Sequence, residues 1–283
     1  MTETLAHPHH DHELEDHDRG LVFDLSTLDR RQVLKALGFA GLNAGLLTII
    51  GCAPGGASSS PSAGTTGSGG APASCALIPE ETAGPFPGDG SNGPNILAES
   101  GVVRSDIRSS FGTSTTVATG VPLTILLTVQ DSGADCAPLA GAAVYVWHCD
   151  QGGNYSMYSQ AAANENYLRG VQAAGDQGLV TFQSVFPACY SGRWPHIHFE
   201  VYPSLETATD ENNKIATSQI ALPKEACDLV YATTGYEQSV SNLQQVSLEN
   251  DNVFRDGWTQ ELGTVTGTVA DGLTVALTVP VGA

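Results

Sequence analysis

A chain of 283 residues with 41% hydrophobic side chains can bury one large core or two modest ones. Its formal charge of −19 repels nucleic-acid phosphates and anionic lipid headgroups, which argues against both as partners. The excess is not confined to one tail, because from Cys52 onward 7 Lys and Arg stand against 22 Asp and Glu.

Residues 1–28 hold five of the eight histidines among many acids (His7, His9, His10, His12 and His17). That composition reads as a disordered polar leader rather than a metal-binding tail. Next comes Asp29-Arg30-Arg31-Gln32-Val33-Leu34-Lys35, and then an uncharged run from Ala36 to Ile50. The run is too short for a comfortable membrane span and too apolar for a loop. The paired arginines resemble a twin-arginine export signal, with Asp29 and Val33 where the usual form has Ser or Thr and then Phe. Ile49-Ile50-Gly51-Cys52 resembles a lipobox, which implies that Cys52 is lipidated and begins the mature chain. Residues 29–52 are thus expected to be an export signal. Residues 53–74, almost entirely Gly, Ala, Ser, Thr and Pro, cannot offset their ordering entropy by burial and are expected to be a flexible tether. The resulting expectation is an exported lipoprotein on the extracytoplasmic side, touching the membrane only through Cys52.

Residues 75–283 read as one all-β domain. Val-, Thr- and Ile-rich runs predict strands at 123–129, 143–148, 179–186, 196–202, 218–222, 264–269 and 273–279. The last two flank Ala270-Asp271-Gly272, a hairpin turn signal. The spacing predicts an antiparallel β-sandwich, with short helices in the connections. If Cys52 carries lipid, five cysteines remain and cannot all pair. Cys149, ending an apolar strand, is expected as a buried thiol, which leaves two bridges among Cys75, Cys136, Cys189 and Cys227 with the connectivity open.

Two stretches carry chemistry, Val144–Ser156 and Phe186–Phe199. In the second, His196 and His198 are two apart on a predicted strand. Both imidazoles therefore face one way, while Ile197 and Phe199 face the other layer. Same-facing histidines at that spacing are a recurrent metal chelate, and Tyr190 and Arg193 lie nearby.

These stretches resemble the intradiol ring-cleavage dioxygenases. In that family a first tyrosine closes a W-H-(x)n-Y segment, matched by Trp147 through Tyr155. A second opens a Y-x-G-R-x-x-H-I-H segment, matched by Tyr190 through His198. Glu80-Glu81-Thr82-Ala83-Gly84-Pro85-Phe86 resembles a further family motif, with Pro87 in place of its final tyrosine. Thr217-Ser218-Gln219 resembles the family's T-Q strand. The likeness runs from about Cys75 to Tyr236.

The resemblance implies Fe(III) held by Tyr155, Tyr190, His196 and His198. It implies that Tyr155 stays bound while Tyr190 leaves when a catechol-type substrate chelates the metal. Arg193 and Gln219 would then stabilise charge on the substrate as it reacts with O2, giving a cis,cis-muconate-type product. Phenolate is a hard anionic donor that suits Fe(III), and a tyrosine ionises at neutral pH only if a metal stabilises the phenolate. Tyr158, Tyr167 and Tyr202 read as packing or surface residues and His148 as a hydrogen-bonded structural histidine. Trp194 fits core and pocket wall equally. The alternative from another class is a surface-anchored β-sandwich binding module without catalysis, which predicts loss of at least one ligand. A zinc hydrolase would need an activating carboxylate, and Glu200 is the only candidate near the histidines. The particular diol and the oligomeric state, a homo-oligomer included, stay open.

Overall fold

The computed structural model describes residues 75–283, so the leader, signal and tether expected over 1–74 lie outside the described residues. Among those described, nine strands form two sheets. One holds β1 (Pro122–Asp131), β2 (Ala137–Pro138), β5 (Leu179–Val185), β8 (Thr264–Thr268) and β9 (Gly272–Val281), in the order β2-β1-β9-β8 with β5 also paired to β1. The other runs β4-β3-β6-β7, from Arg169–Ala173, Ala143–Trp147, His196–Tyr202 and Ala216–Ala221. Two α-helices, α1 (Lys224–Tyr231) and α2 (Glu237–Leu243), follow β7. Neither is long and apolar enough to cross a membrane.

Strand β1 shows why the first sheet forms. Leu123, Ile125, Leu127 and Val129 are buried on one face, while the residues between them are partly exposed, the period of two that a half-buried strand requires. Their side chains share one apolar cluster with Val144 and Val146 of β3 and with Ile197, Phe199 and Val201 of β6. Each such side chain contributes about 1.5–3 kcal/mol by leaving water. The opposite face of the second sheet is covered as well. Tyr145, Trp147 and Tyr202 pack there with Phe86, Tyr155 and Ala188 in a separate cluster. The metal-ligand candidates lie on this second covered face.

Three expectations are corrected. The pairing is not wholly antiparallel, because β1 and β9 run parallel in register from Leu123↔Leu273 to Asp131↔Val281. Strands β2 and β4 belong to the sheets although β2 is only two residues long and the sequence of β4 lacks strand periodicity. One disulfide joins Cys75 to Cys136, while Cys149, Cys189 and Cys227 are free and buried, so the second expected bridge is absent. The Cys189 thiol instead donates to the Arg193 carbonyl at 3.5 Å, and Cys227 sits in the main core.

Candidate metal centre

The pleat of β6 sends His196 and His198 to the same face, where their Nε2 atoms lie 3.1 Å apart. The His198 ring stacks on its cross-strand partner Trp147, with centroids 4.8 Å apart and planes within 4°. His196 donates Nδ1–H to the Trp194 carbonyl at 2.5 Å, which leaves its Nε2 lone pair facing the site. Tyr190 reaches the pair from the β5–β6 connection, with its hydroxyl 3.3 Å from His196 Nε2. Tyr155, from the β3–β4 connection, brings its hydroxyl to 3.4 Å from the same nitrogen. Its own amide donates to Ser159 Oγ, and the preceding turn is closed by Asp150 Oδ1, which accepts from the Gly152 and Asn154 amides.

Two phenol oxygens and the His198 Nε2 thus converge on His196 Nε2, each 3.1–3.4 Å from it. Donors each about 2.0–2.1 Å from one small cation would stand about 2.8–3.4 Å apart, so the set fits a metal ion. Among the described residues no group of three or more His, Cys, Asp or Glu is placed to hold a metal ion, and here two tyrosines complete the donor set. Electrostatics agrees with the fit. Burial, and then the Arg193 charge, hold His196 well below the usual histidine value. Burial and His196 do the same to His198, so both rings present neutral lone pairs. Burial, followed by the neighbouring Tyr190, pushes Tyr155 well above the usual phenol value. Its proton leaves only if a cation takes its place.

Around the donors, Arg193 is 1% exposed and donates from Nη2 to Gln219 Oε1 at 2.7 Å. Gln219 pairs directly opposite His198 across the β6–β7 ladder and donates to the Thr82 carbonyl at 2.8 Å. Gly84 passes close by with φ of 69°, and a Cβ there would come within 3.3 Å of His198 Cε1. Phe86 lies against Tyr155, with ring centroids 4.8 Å apart. The structure therefore brings all six sequence-predicted site residues into one buried constellation, with Tyr190 alone among them partly exposed.

A family model described as Dioxygenase matches residues 93–210, the stretch that carries Tyr155, Tyr190, Arg193, His196 and His198. Chlorocatechol 1,2-dioxygenase of Rhodococcus opacus is 38% identical over 53 residues, which is 19% of this chain and 21% of that protein. That match spans only about a fifth of the relative's length. An intradiol ring-cleavage dioxygenase from Tetranychus urticae superposes with a TM-score of 0.58 at 25% identity, covering 74% of this chain and 95% of that one. In fold and in the matched stretch, the chain is similar to the intradiol ring-cleavage dioxygenases.

Two further features escaped the sequence reading. Arg169 on β4 is fully buried. It donates to the Phe86, Pro87 and Ser156 carbonyls, to Ser156 Oγ and to the Tyr145 hydroxyl. One guanidinium thereby ties the Phe86–Pro87 segment to the loop that bears Tyr155. Its only sequence signal was an arginine inside an otherwise apolar Leu168–Val171 run. Asp251, which receives Arg193, lies outside the matched stretch in a segment that reads as a polar turn. The background residues behave as expected. His148 is buried between the Cys149 carbonyl and Ser184 Oγ, and the Tyr167 and Tyr202 hydroxyls donate to Asp150 and Glu200. Trp194 joins the main core and donates to the Leu222 carbonyl. Glu200 receives the Tyr202 hydroxyl at 2.6 Å and pairs with Lys214 at 3.4 Å.

Proposed function

We propose that the chain is a non-haem iron(III) intradiol dioxygenase that inserts O2 into catechol-type aromatics and yields cis,cis-muconate-type products. The observation that carries this reading is the convergence of the Tyr155, Tyr190 and His198 donor atoms to within 3.4 Å of His196 Nε2. Hard phenolate donors favour Fe(III) over softer or divalent ions. Bound there, iron supplies the Lewis-acidic, redox-active centre at which the diol and O2 meet. Tyr155, enclosed by Phe86 and the second core, stays in place. Tyr190, at the more open edge, is the donor that would move aside, its phenolate taking up a proton from the incoming diol. Arg193 supplies fixed positive charge where the substrate becomes anionic, and Gln219 holds its Nη2 edge. A module that only binds its ligand would need neither this arginine nor four intact donors.

On this reading residues 75–283 are the catalytic domain, an all-β sandwich in which both sheets share one core. Small aromatic diols and O2 are its partners. We further propose that residues 1–28 form a leader, 29–52 a signal and 53–74 a tether, with the domain exported and anchored through lipid at Cys52.

Metal analysis and visible absorption test the function together. The purified domain should hold about one iron per chain, as a single four-donor set requires, and show phenolate-to-iron charge-transfer colour. Stoichiometric zinc, or a colourless protein that still opens catechol rings, would refute it. For the address, Cys52→Ala should release the protein from membranes, and Arg30→Lys with Arg31→Lys should retain it in the cytoplasm. Unchanged membrane association of the Cys52 variant would refute the anchor.

A further inference from the structure

We infer that Asp251 is a positioning residue for the reaction: it fixes the Arg193 guanidinium in the orientation at which it meets the substrate. The inference rests on the dioxygenase reading above and concerns a residue outside the stretch matched by the family model.

Asp251 lies between α2 and a short 3-10 turn at Phe254–Asp256, and is fully buried. Both carboxylate oxygens are engaged. Oδ1 accepts from the Val253 amide at 2.9 Å and the Phe254 amide at 3.2 Å. Oδ2 accepts Arg193 Nε–H at 3.0 Å and the Trp194 amide at 2.7 Å. The backbone contacts at Oδ1 and Trp194 stop the carboxylate from turning, so the position of Oδ2 is set by the fold. Arg193 is consequently held on two edges, Nε by Asp251 and Nη2 by Gln219, and Gln219 is itself tied to the Thr82 carbonyl. A planar guanidinium with two edges pinned cannot rotate about its stem. Its charge is then already aimed when the substrate becomes anionic, which is the condition under which a donor lowers a barrier without reorganising.

The charge of Asp251 matters as much as its shape. Arg193 is 1% exposed, so an uncompensated guanidinium would be costly to bury beside a bound cation. Asp251 balances it through the ion pair at Arg193 Nε, 3.0 Å away. A residue that only capped the turn at Val253 and Phe254 would do so equally well without an arginine.

The experiment compares Asp251→Asn, Arg193→Ala and the double variant as iron-loaded full chains on catechol. Turnover is expressed per bound iron. Asp251→Asn should keep its iron and colour and a nearly unchanged KM, while kcat falls about tenfold or more. The double variant should be no slower than Arg193→Ala alone, because the carboxylate acts only through the arginine. An independent readout is the Arg193 Nε–H resonance of the iron-free full chain. It should exchange slowly with solvent in the wild type and rapidly in Asp251→Asn.

Wild-type kcat per iron in Asp251→Asn, or additive losses in the double variant, would overturn the inference. So would an Nε–H that stays protected without the carboxylate. If Asp251→Asn does not fold, Asp251→Glu takes its place. It keeps the charge but displaces the oxygens, and should lower kcat with iron retained; full activity there would count against the inference. An iron-loaded wild type that opens no catechol-type ring would instead refute the functional reading itself.

Discussion

Strands of the β2-β1-β9-β8 sheet alternate between buried and exposed residues, as in β1, or are largely exposed, as in β8. Strands β3, β6 and β7 of the other sheet are buried at every position. The first sheet turns an apolar face inward and a polar face to water. The second has protein on both sides, so each polar side chain on its outer face must find a partner inside the molecule. His196, His198, Gln219 and Glu200 all stand on these fully buried strands. One sheet therefore supplies stability, while the other holds polar groups at fixed positions in a dry setting, where charge interactions are strongest. A ligand set built on double-covered strands needs no loop to order it, apart from the two tyrosines.

The largest effect should come from the second sheet. His198→Ala removes a donor and opens a gap beside Trp147, and iron affinity should fall by more than about a hundredfold, beyond the cost of losing a merely supporting residue. Metal analysis after dialysis against a weak chelator measures this, and a variant still holding one iron per chain would break the comparison. Arg193→Ala should come next. It removes no donor, so colour persists while kcat drops on the order of a hundredfold. Full activity, or bleaching as complete as for a ligand variant, would count against its assigned role.

Ile125→Ala sharpens the contrast from the other sheet. This fully buried residue of β1 belongs to the shared core, and truncation should cost about 2–5 kcal/mol in a urea melt. Activity per folded, iron-loaded molecule should nevertheless stay near wild type; a spectral change at the metal would mean that the two sheets are less separate than described. The smallest effect concerns acid. Burial pushes His148 down to about 4, so the folded protein keeps it neutral while an unfolded chain takes up a proton near the ordinary value of about 6.5. Its contribution to stability is therefore lost as pH falls from about 6.5 through about 4. Across that window the wild type should lose more stability than His148→Gln. Parallel stability curves for the two proteins would contradict it.

How much of this was legible in the sequence follows the same division. Strand β1 could be found because its inward residues are β-branched or leucine and its outward ones include threonine, a pattern written locally. Strand β4 could not, since Arg169-Gly170-Val171-Gln172-Ala173 has no such period and is held by pairing with β3. The parallel contact of β1 with β9 joins residues some 150 positions apart, and no local pattern encodes direction. The eight residues of α1 span too few turns to show a helical period. For the site, His196 and His198 announce themselves by alternation on a strand, and the tyrosines by their place in a recognised pattern. Asp251 lies in Glu249-Asn250-Asp251-Asn252, which reads as an ordinary solvated turn, and only folding shows it to be buried. The missing second bridge has the same origin, because cysteine counting cannot tell a core thiol from a pairing one.

The Cys75–Cys136 bridge, the only one among the described residues, has a consequence for how the molecule tolerates oxidants. Cys149, Cys189 and Cys227 are sealed inside the folded domain, and burial pushes Cys189 up to about 12, so none of them offers a reactive thiolate. Folded, these three thiols are shielded from an oxidising medium. Unfolded in that medium, the described residues expose three thiols beside an existing disulfide, and exchange can trap partners that the native fold never joins. Thermal inactivation in air should thus become irreversible sooner than the melting transition alone implies, and the history of the chain, folded before or after meeting oxidant, decides whether it can recover.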